Sequence, residues 1–404
     1  MAKALTKEVA KEATNKEVSV AKKRFIALDV VRGITIALMI IANNPGSWGH
    51  MWSFLEHPAW IGFTLADVIF PTFITCMGFA MVFSLKHVEK VDWLFVRKVI
   101  LRGLILILIG WFFTGFSAFL DNASDGKDFI ENIINVGENF RFTGVFFRLG
   151  LVSLLTSAII VLTKKNLKII LAISGVIIFA YFFVLGYGHG YEFSNQNICY
   201  IVDRSIFSEA HIYHLRIDGV RIGIDPEGFL SSIPCIAQTL LAYSIGKIFI
   251  EKRNKDKANA NLWLFAVASI LIVVGLFCSL FSPIFKKVWS PSFVFLTTGI
   301  AMTTIAFFSF ITIKKEHKKG LYIFNAIGSN ALGIYLISSI LALSLNHIPV
   351  NLDGMNIHDA IYKGFSVMCC QNLETASFLY SVLLLLICGA IALLLYRKKI
   401  FIRL

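Results

Sequence analysis

Apolar residues run together in ten stretches of about 20 residues, each long enough to cross a bilayer as a helix. The predicted spans are 26–43, 62–85, 99–120, 144–163, 169–187, 229–250, 262–281, 292–313, 322–345 and 376–396. Four longer polar segments are predicted to be loops on the outer side of the membrane, at about 44–61, 121–143, 188–228 and 346–375. The pattern therefore predicts an all-α, polytopic integral membrane protein with about ten transmembrane helices.

Basic residues are concentrated in alternate connecting segments. These segments are 1–24, 86–98, 164–168, 247–257, 314–319 and 397–403. Because cytoplasmic loops carry an excess of Lys and Arg, we expect both termini in the cytoplasm and the chain in the cell inner membrane. Residues 1–24 are predicted to be a disordered, basic cytoplasmic lead, and 25–404 a single transmembrane domain. The adjacent pair Lys286 and Lys287 is an exception to the charge pattern, because it falls on the outer side.

Composition excludes a soluble domain of this length, since 57% of the residues are hydrophobic, 16% are charged and the mean hydropathy is +0.73. The net charge of +13 lies in short juxtamembrane loops, where orientation and anionic lipid headgroups account for it, so no nucleic-acid partner is predicted. The seven cysteines form neither a disulfide framework nor a metal-binding pattern, and no metal is predicted. One disulfide between Cys199 and Cys369 or Cys370 is left open.

A few ionisable or polar residues interrupt the apolar stretches, and such residues are costly in hydrocarbon. Asp29 and Arg32 are three residues apart on a helix, so they form either a structural ion pair or part of a binding site. Asp67 precedes a proline in the second span, and a carboxylate beside a helix irregularity is a candidate site residue. Further candidates are Arg148, which either snorkels to the surface or binds phosphate, and Asn330.

The first outer loop contains a histidine, the side chain that titrates near neutral pH. His57 is followed by a proline that stiffens the turn and by Trp60, which anchors it at the membrane interface. The turn that begins with Asn43 and Asn44, at the outer end of the first span, can fold back near this histidine. This proximity would place a base or nucleophile beside amide donors able to stabilise an oxyanion, and a solvated surface histidine is the alternative.

The longest outer segment, 188–228, is rich in aromatic residues, His and Arg, and is predicted to be an ordered lid or substrate-contacting surface. It ends in an acidic turn, in which Asp225 and Glu227 are candidate binding groups. His211 and His214 have the spacing of a metal-binding pair, but no third ligand with suitable spacing accompanies them.

A series of motifs, in order and over nearly the whole chain after residue 24, resembles the membrane acyltransferase family of heparan-α-glucosaminide N-acetyltransferase, and more closely its bacterial NagX-type members. The motifs are LDVVRGITIALMIIANNPGSW from Leu28, EHPAWIGFTLADVIFPTFITCMG from Glu56, RFTGVFFRLG from Arg141, DPEGFL from Asp225, WSPSFVFLTT from Trp289, GSNALGIY from Gly328 and LYRKKIFIRL from Leu395.

The resemblance implies transfer of an acetyl group from cytosolic acetyl-CoA, as co-substrate, to an amino sugar on the other side of the membrane. In the family the active histidine lies in an H-x-x-W loop, which matches His57 and Trp60, and an asparagine that ends the first span matches Asn43. Either an acetyl-histidine relay or direct attack with histidine as base is implied. The chain departs from the family pattern at three positions: Thr143, Phe146 and Phe147 stand where Pro, Leu and Gln are usual.

Three functions are compatible with this sequence. The first is acetyl transfer to an amino sugar, with His57 and Asn43 as catalytic residues. The second is transport of N-acetylglucosamine or a related sugar, which ten spans with buried charges also suit. The third is O-acetylation of a glycan. Candidate substrate- or cofactor-binding residues are Asp29, Arg32, Asn44, Trp60, Asp67, Arg148, Asp225, Glu227 and Asn330. Membrane lipids and a small-molecule or glycan acceptor are the expected partners, and monomer and homodimer are both left open.

Overall fold

The computed structural model describes residues 25–88, 90–124, 128–313, 320–350 and 355–402, so the predicted lead at 1–24 lies outside the described residues. The described chain forms α1 Ile26–Asn43, α2 Leu65–Ser84, α3 Trp93–Ser124, α4 Phe129–Glu138, α5 Val145–Leu162, α6 Leu167–Tyr187, α7 Ile198–Phe207, β1 Leu215–Ile217, β2 Val220–Ile222, α8 Ile233–Lys255, α9 Lys257–Cys278, α10 Pro291–Ile311, α11 Tyr322–Ser329, α12 Ala331–His347, α13 Ile357–Met368 and α14 Leu373–Arg397. Two short 3-10 helices, Glu209–His211 and Leu230–Ser232, complete it.

The predicted membrane architecture is confirmed. Among the described residues, nine helices are long and apolar enough to cross a membrane. The pair α11 and α12, bent by 85°, is either a broken tenth span or a re-entrant loop. Most helix ends lie within a few residues of the predicted ones. The third span is longer than predicted, since α3 begins at Trp93 and reaches Ser124.

The span predicted as continuous over 322–345 is the exception, because the chain bends sharply between α11 and α12. Asn330 lies at the bend, with a φ of −127° and a ψ of 33° that do not continue a helix. In its side chain, Nδ2 donates to Ile400 O at 3.1 Å and Oδ1 accepts from Ile402 N at 2.7 Å. The Asn330 side chain thus ties the bend to the chain that follows α14, and hydropathy alone does not record this contact.

The predicted outer loops contain ordered structure of their own. Segment 121–143 holds α4, and segment 346–375 holds α13. Segment 188–228 holds α7 and an antiparallel hairpin in which Arg216 is opposite Arg221. The hairpin turns at Asp218 and Gly219, both of which have positive φ, and this turn conformation suits the tight connection between two strands.

Helices α1 and α11 cross with their backbones almost touching, because each presents a glycine at the crossing. A Cβ on Gly33 would lie 1.8 Å from Phe324 O, and a Cβ on Gly328 would lie 1.7 Å from Asp29 O. Small residues allow this approach between membrane helices, where dispersion contacts contribute much of the packing energy. The crossing fixes α1, whose far end carries Asn43.

Several connecting segments meet at one end of the helix bundle, which we call the site face. They are 44–64, 139–144, 188–232 and 279–290. Gly62 pairs with Phe285 in an isolated β-bridge, Phe142 N donates to His211 O, and Trp60 Nε1 donates to Tyr191 O at 2.8 Å. The end that carries the start of α1 and the chain after α14 is called the opposite face.

Gly328→Ala tests the close crossing. The added methyl group has to displace the backbone of α1, and overpacking of this kind typically costs about 1–3 kcal/mol. We expect a lower melting temperature for the purified protein in detergent. Gly175→Ala in α6 is the matched control, since a Cβ there meets nothing within 4 Å. Equal melting temperatures for the two variants would contradict the crossing.

Candidate active site at the site face

A histidine and a buried aspartate form the centre of the site. His57 Nδ1 lies 2.8 Å from Asp67 Oδ1, and the side chains are 42% and 1% exposed. A carboxylate only accepts hydrogen bonds, so His57 donates its Nδ1 proton to Asp67, which leaves Nε2 free to act as a base. Asp67 is therefore not an isolated carboxylate in a span, because the loop before α2 supplies its partner.

The start of α2 holds Asp67 in place. Asp67 is the third residue of the helix and Thr64 is its N-cap, so the two form a capping box. Thr64 N donates to Asp67 Oδ2 at 3.1 Å, and the Thr64 hydroxyl donates to Glu56 O at 2.7 Å. The cap thus fixes the carboxylate and the residue directly before His57 together.

Two lysines of segment 279–290 contact the histidine loop. Lys286 Nζ lies 3.0 Å from His57 Nε2, 3.3 Å from His57 Nδ1 and 3.6 Å from Asp67 Oδ1. Lys287 Nζ donates to Pro58 O at 2.7 Å and to Ala59 O. Burial lowers the pKa of Lys287 to about 8, although Asp67 acts in the opposite direction. The basic pair that violated the charge pattern therefore belongs to the site.

A cavity of about 110 Å³ opens beside these groups. Asn43, at the end of α1, and Glu227, from the acidic turn, line it together with His57 and Lys286. Apolar side chains complete the wall: Met39, Ala42, Ala66, Ile69, Phe70 and Val145. Asn43 and His57, which were expected to lie near each other, share this cavity.

A second charged cluster borders the cavity. Arg141 Nε and Nη2 donate to Asp225 at 2.8 and 2.6 Å, and Nη2 also reaches Glu227 at 2.8 Å. Thr143 donates to the same Asp225 carboxylate. Burial opposes ionisation of both partners, but Asp225 and Glu227 raise the pKa of Arg141, and Arg141 with Thr143 holds the pKa of Asp225 below its usual value. The cluster positions Glu227 at the cavity wall.

Arg148, in α5, supports the same turn from beneath. It is fully buried, donates to Pro226 O at 2.8 Å and to Ser232 Oγ at 3.1 Å, and lies 4.9 Å from the Trp289 ring centroid. Arg148 thus does not snorkel to the surface. These contacts use Nε and Nη2 and make Arg148 a support for the turn that carries Asp225 and Glu227. Its Nη1 is buried and has no hydrogen-bond partner among the described residues.

The remaining site-face candidates have structural contacts. Trp60 packs against Phe193 and Phe285, with centroid distances of 5.1 and 4.7 Å. Asn44 donates to Ile40 O at 2.9 Å, within the last turn of α1. Where the family pattern has glutamine, Phe147 packs against Phe207 at 5.9 Å.

Three candidates lie away from the cavity. Asp29 and Arg32 form the expected ion pair, at 3.4 Å, in the first half of α1. Asn330 lies at the bend between α11 and α12 and contacts the chain after α14. The structure therefore brings together His57, Asn43, Asp67 and Glu227, and it leaves Asp29, Arg32 and Asn330 toward the opposite face.

Sequence reasoning missed Lys286, Lys287 and Arg141 as site residues. The two lysines had a signal, since they break the charge distribution of the loops. Arg141 is the first residue of the RFTGVFFRLG motif, but nothing in that motif marked it as a site residue. Its partner Asp225 is 84 residues away. No local pattern connects residues at that separation.

Among the described residues, the cysteines form no disulfide and the pair His211 and His214 belongs to no metal-binding group. Cys199, Cys369 and Cys370 are free thiols, and Cys199 is buried beside the Tyr181 hydroxyl at 3.8 Å. His211 Nδ1 contacts Phe140 O at 2.8 Å, and His214 Nε2 contacts Glu209 Oε1 at 3.0 Å. Within the described ranges, no group of three or more His, Cys, Asp and Glu side chains is arranged to hold a metal ion.

Comparison with known proteins identifies the family of this chain. The model of the family described as "Acyltransferase domain" matches residues 25–397. Since this is most of the chain, the protein belongs to that acyltransferase family.

Two curated relatives are similar to this chain. Heparan-alpha-glucosaminide N-acetyltransferase of Homo sapiens is 24% identical over 339 residues, which cover 72% of this chain and 48% of the relative. The Mus musculus protein of the same name is 25% identical over 329 residues, with the same two shares, 72% and 48%. The chain thus spans about half the length of these curated relatives.

A buried carboxyl group behind the acidic turn allows a test by pH. Asp203, in α7, is 0% exposed and accepts from Leu230 N at 3.1 Å. In the described part of the chain, Asp203 Oδ2 has no hydrogen-bond donor. Burial raises the pKa of Asp203 to about 7, although the Leu230 N–H acts in the opposite direction.

We expect Asp203→Asn to become more stable relative to the wild type as the pH rises from about 4 to about 7. In this window the folded wild type holds a proton that its unfolded chain has released, so its free energy of unfolding falls with rising pH, whereas asparagine has no proton to lose. Melting temperatures of both proteins across this range measure the difference. A difference that shrinks or stays constant with rising pH would contradict the buried, protonated carboxyl.

Proposed function

We propose that this acyltransferase moves an acetyl group from cytosolic acetyl-CoA to an amino sugar or related glycan on the outer side of the inner membrane. The observation that carries the proposal is the hydrogen-bonded pair of His57 and Asp67 beside Asn43 in one cavity. The names of the relatives support an acetyl donor and an amino-sugar acceptor. The distribution of basic residues supports cytoplasmic termini and an outward site face.

The proposed chemistry uses a base and an amide donor. Nε2 of His57 takes a proton from the acceptor's ammonium, and Asp67 keeps the imidazole in the tautomer that has this nitrogen free. The Asn43 amide donates to the oxygen of the acetyl carbonyl as negative charge develops there. The same two groups serve direct attack by the amine or a relay through acetyl-histidine.

The donor is proposed to bind from the opposite face. Arg32 lies close enough to Arg102 for the two charges to interact, and a guanidinium pair suits the phosphates of coenzyme A. Arg32 precedes Asn43 by eleven residues on α1, or about 16 Å along the helix axis. The pantetheine arm of coenzyme A could extend over such a distance and bring its thioester to the cavity. Asp29 would hold Arg32 in place through their ion pair.

Loss of the histidine tests the proposal. Transfer of radiolabelled acetyl from acetyl-CoA to glucosamine by the purified protein is expected to fall about 10²- to 10⁴-fold in His57→Ala, as for removal of a general base. His50→Gln, at an exposed position in the same loop, is the matched control and should retain the activity. Intact transfer in His57→Ala would show that this site is assigned wrongly. Sugar uptake into proteoliposomes without acetyl-CoA would favour the transporter instead.

Asp67→Asn tests the role of the carboxylate. An amide at this position can donate to Nδ1, which would move the imidazole proton to Nε2 and block the base, so we expect a loss of about 10²- to 10⁴-fold in kcat. Asparagine keeps an oxygen for the helix cap, and the melting temperature reports whether the fold survives. A well-folded Asp67→Asn protein with wild-type kcat would rule out this orienting role.

A further inference from the structure

The ammonium group of Lys286 lies where an acceptor amine would have to be deprotonated. Its Nζ is 3.0 Å from His57 Nε2, the nitrogen that the Asp67 contact leaves free. The side chain is 15% exposed and lines the same cavity as Asn43 and Glu227. The resting site therefore already contains a primary amine in hydrogen-bonding contact with its proposed base.

The surroundings of Lys286 are suited to a positive charge. Asp67 Oδ1 is 3.6 Å away, and Glu227 also interacts with the ammonium. Burial lowers the pKa of Lys286, while these two carboxylates act in the opposite direction. A lysine at this position is costly to bury and runs against the charge pattern that orients the chain, so membrane orientation does not account for it.

We propose that Lys286 occupies the acceptor's amine subsite in the resting enzyme. Only an acceptor that carries an ammonium group can then readily displace Lys286 from His57 Nε2. This inference rests on the proposed function and assigns the residue by which the site selects a primary amine over a sugar hydroxyl. Lys286 is a specificity-determining residue in this scheme and forms no covalent bond.

The discrimination follows from charge. An amino sugar brings an ammonium that can replace Lys286 at His57 Nε2, so the site keeps the same charge and the same kind of hydrogen bond. Water and sugar hydroxyls are neutral, and their replacement of Lys286 would leave the nearby carboxylates without this ammonium partner. Lys286 thus suppresses hydrolysis of the thioester and O-acetylation by keeping His57 engaged.

The transfer itself balances without an additional reactant. His57 Nε2 takes one proton from the acceptor ammonium, and the freed nitrogen lone pair forms the C–N bond of the amide. The thioester C–S bond breaks with its electron pair on the sulfur of coenzyme A. That sulfur then takes the proton from His57, so the imidazole returns to its starting state. The acylated nitrogen loses its second surplus proton to solvent, so each transfer releases one proton.

Three rates measured on the purified protein test the inference. They are acetyl-CoA hydrolysis without acceptor, acetyl transfer to glucosamine, and acetyl transfer to N-acetylglucosamine, which offers only hydroxyls. In Lys286→Met we expect the ratio of glucosamine transfer to hydrolysis to fall about 10- to 100-fold, the factor for one hydrogen bond to a charged group. The ratio of transfer to glucosamine over N-acetylglucosamine should fall likewise.

Two further variants sharpen the comparison. Lys286→Arg retains the positive charge and is expected to keep both ratios closer to those of the wild type than Lys286→Met does. Lys363→Met removes an exposed lysine of α13 and is expected to leave all three rates unchanged.

The outcomes separate the two proposals. Wild-type protein that transfers no acetyl group to glucosamine would contradict the proposed function and this inference with it. Wild-type transfer combined with unchanged ratios in Lys286→Met would overturn the inference alone. A parallel loss of all three rates in Lys286→Met would also overturn it, because Lys286 would then act in the transfer step and not in the choice of acceptor.

Discussion

The site depends on one buried carboxylate. Placing an unpaired charge in the interior costs several kcal/mol, so Asp67 has to find partners wherever the fold can supply them. It takes the Thr64 N–H from its own helix cap, the ring of His57 from the preceding loop and the Lys286 ammonium from segment 279–290. Pairing of this single charge therefore brings the proposed base, His57, and segment 279–290 to the start of α2.

A second carboxylate, Asp225, holds together the segment before α5 and the acidic turn at the site face. Asp225 binds Arg141 and Thr143 from the segment before α5, while Arg148 supports the backbone of the same turn. Glu227 joins the two halves, because it contacts Arg141 and lines the cavity with His57. Charge pairing thus joins the loops of the site face, alongside the apolar contacts that Trp60 and Phe285 make there.

Hydropathy predicted the crossings well, because a helix in hydrocarbon has to be apolar and to satisfy its own backbone. The ion pair of Asp29 and Arg32 was equally predictable, since it depends only on helical spacing. The bend at Asn330 was not, because the Asn330 side chain is held there by Ile400 and Ile402, which are 70 and 72 residues away. The proximity of Asn43 to His57 was anticipated from a short loop, whereas the role of Lys286 had only a charge anomaly to suggest it.

The sequence by itself determined which stretches are long and apolar enough to cross a membrane, where the polar groups lie along the chain and which family it resembles. These properties follow from local composition, helical periodicity and serial motifs. Only the tertiary structure decided which polar groups meet. His57 and Asp67 are 10 residues apart, but Lys286 and His57 are 229 apart. Contacts at such separations depend on how the helices pack and where the loops close, and no local pattern in the chain records that arrangement.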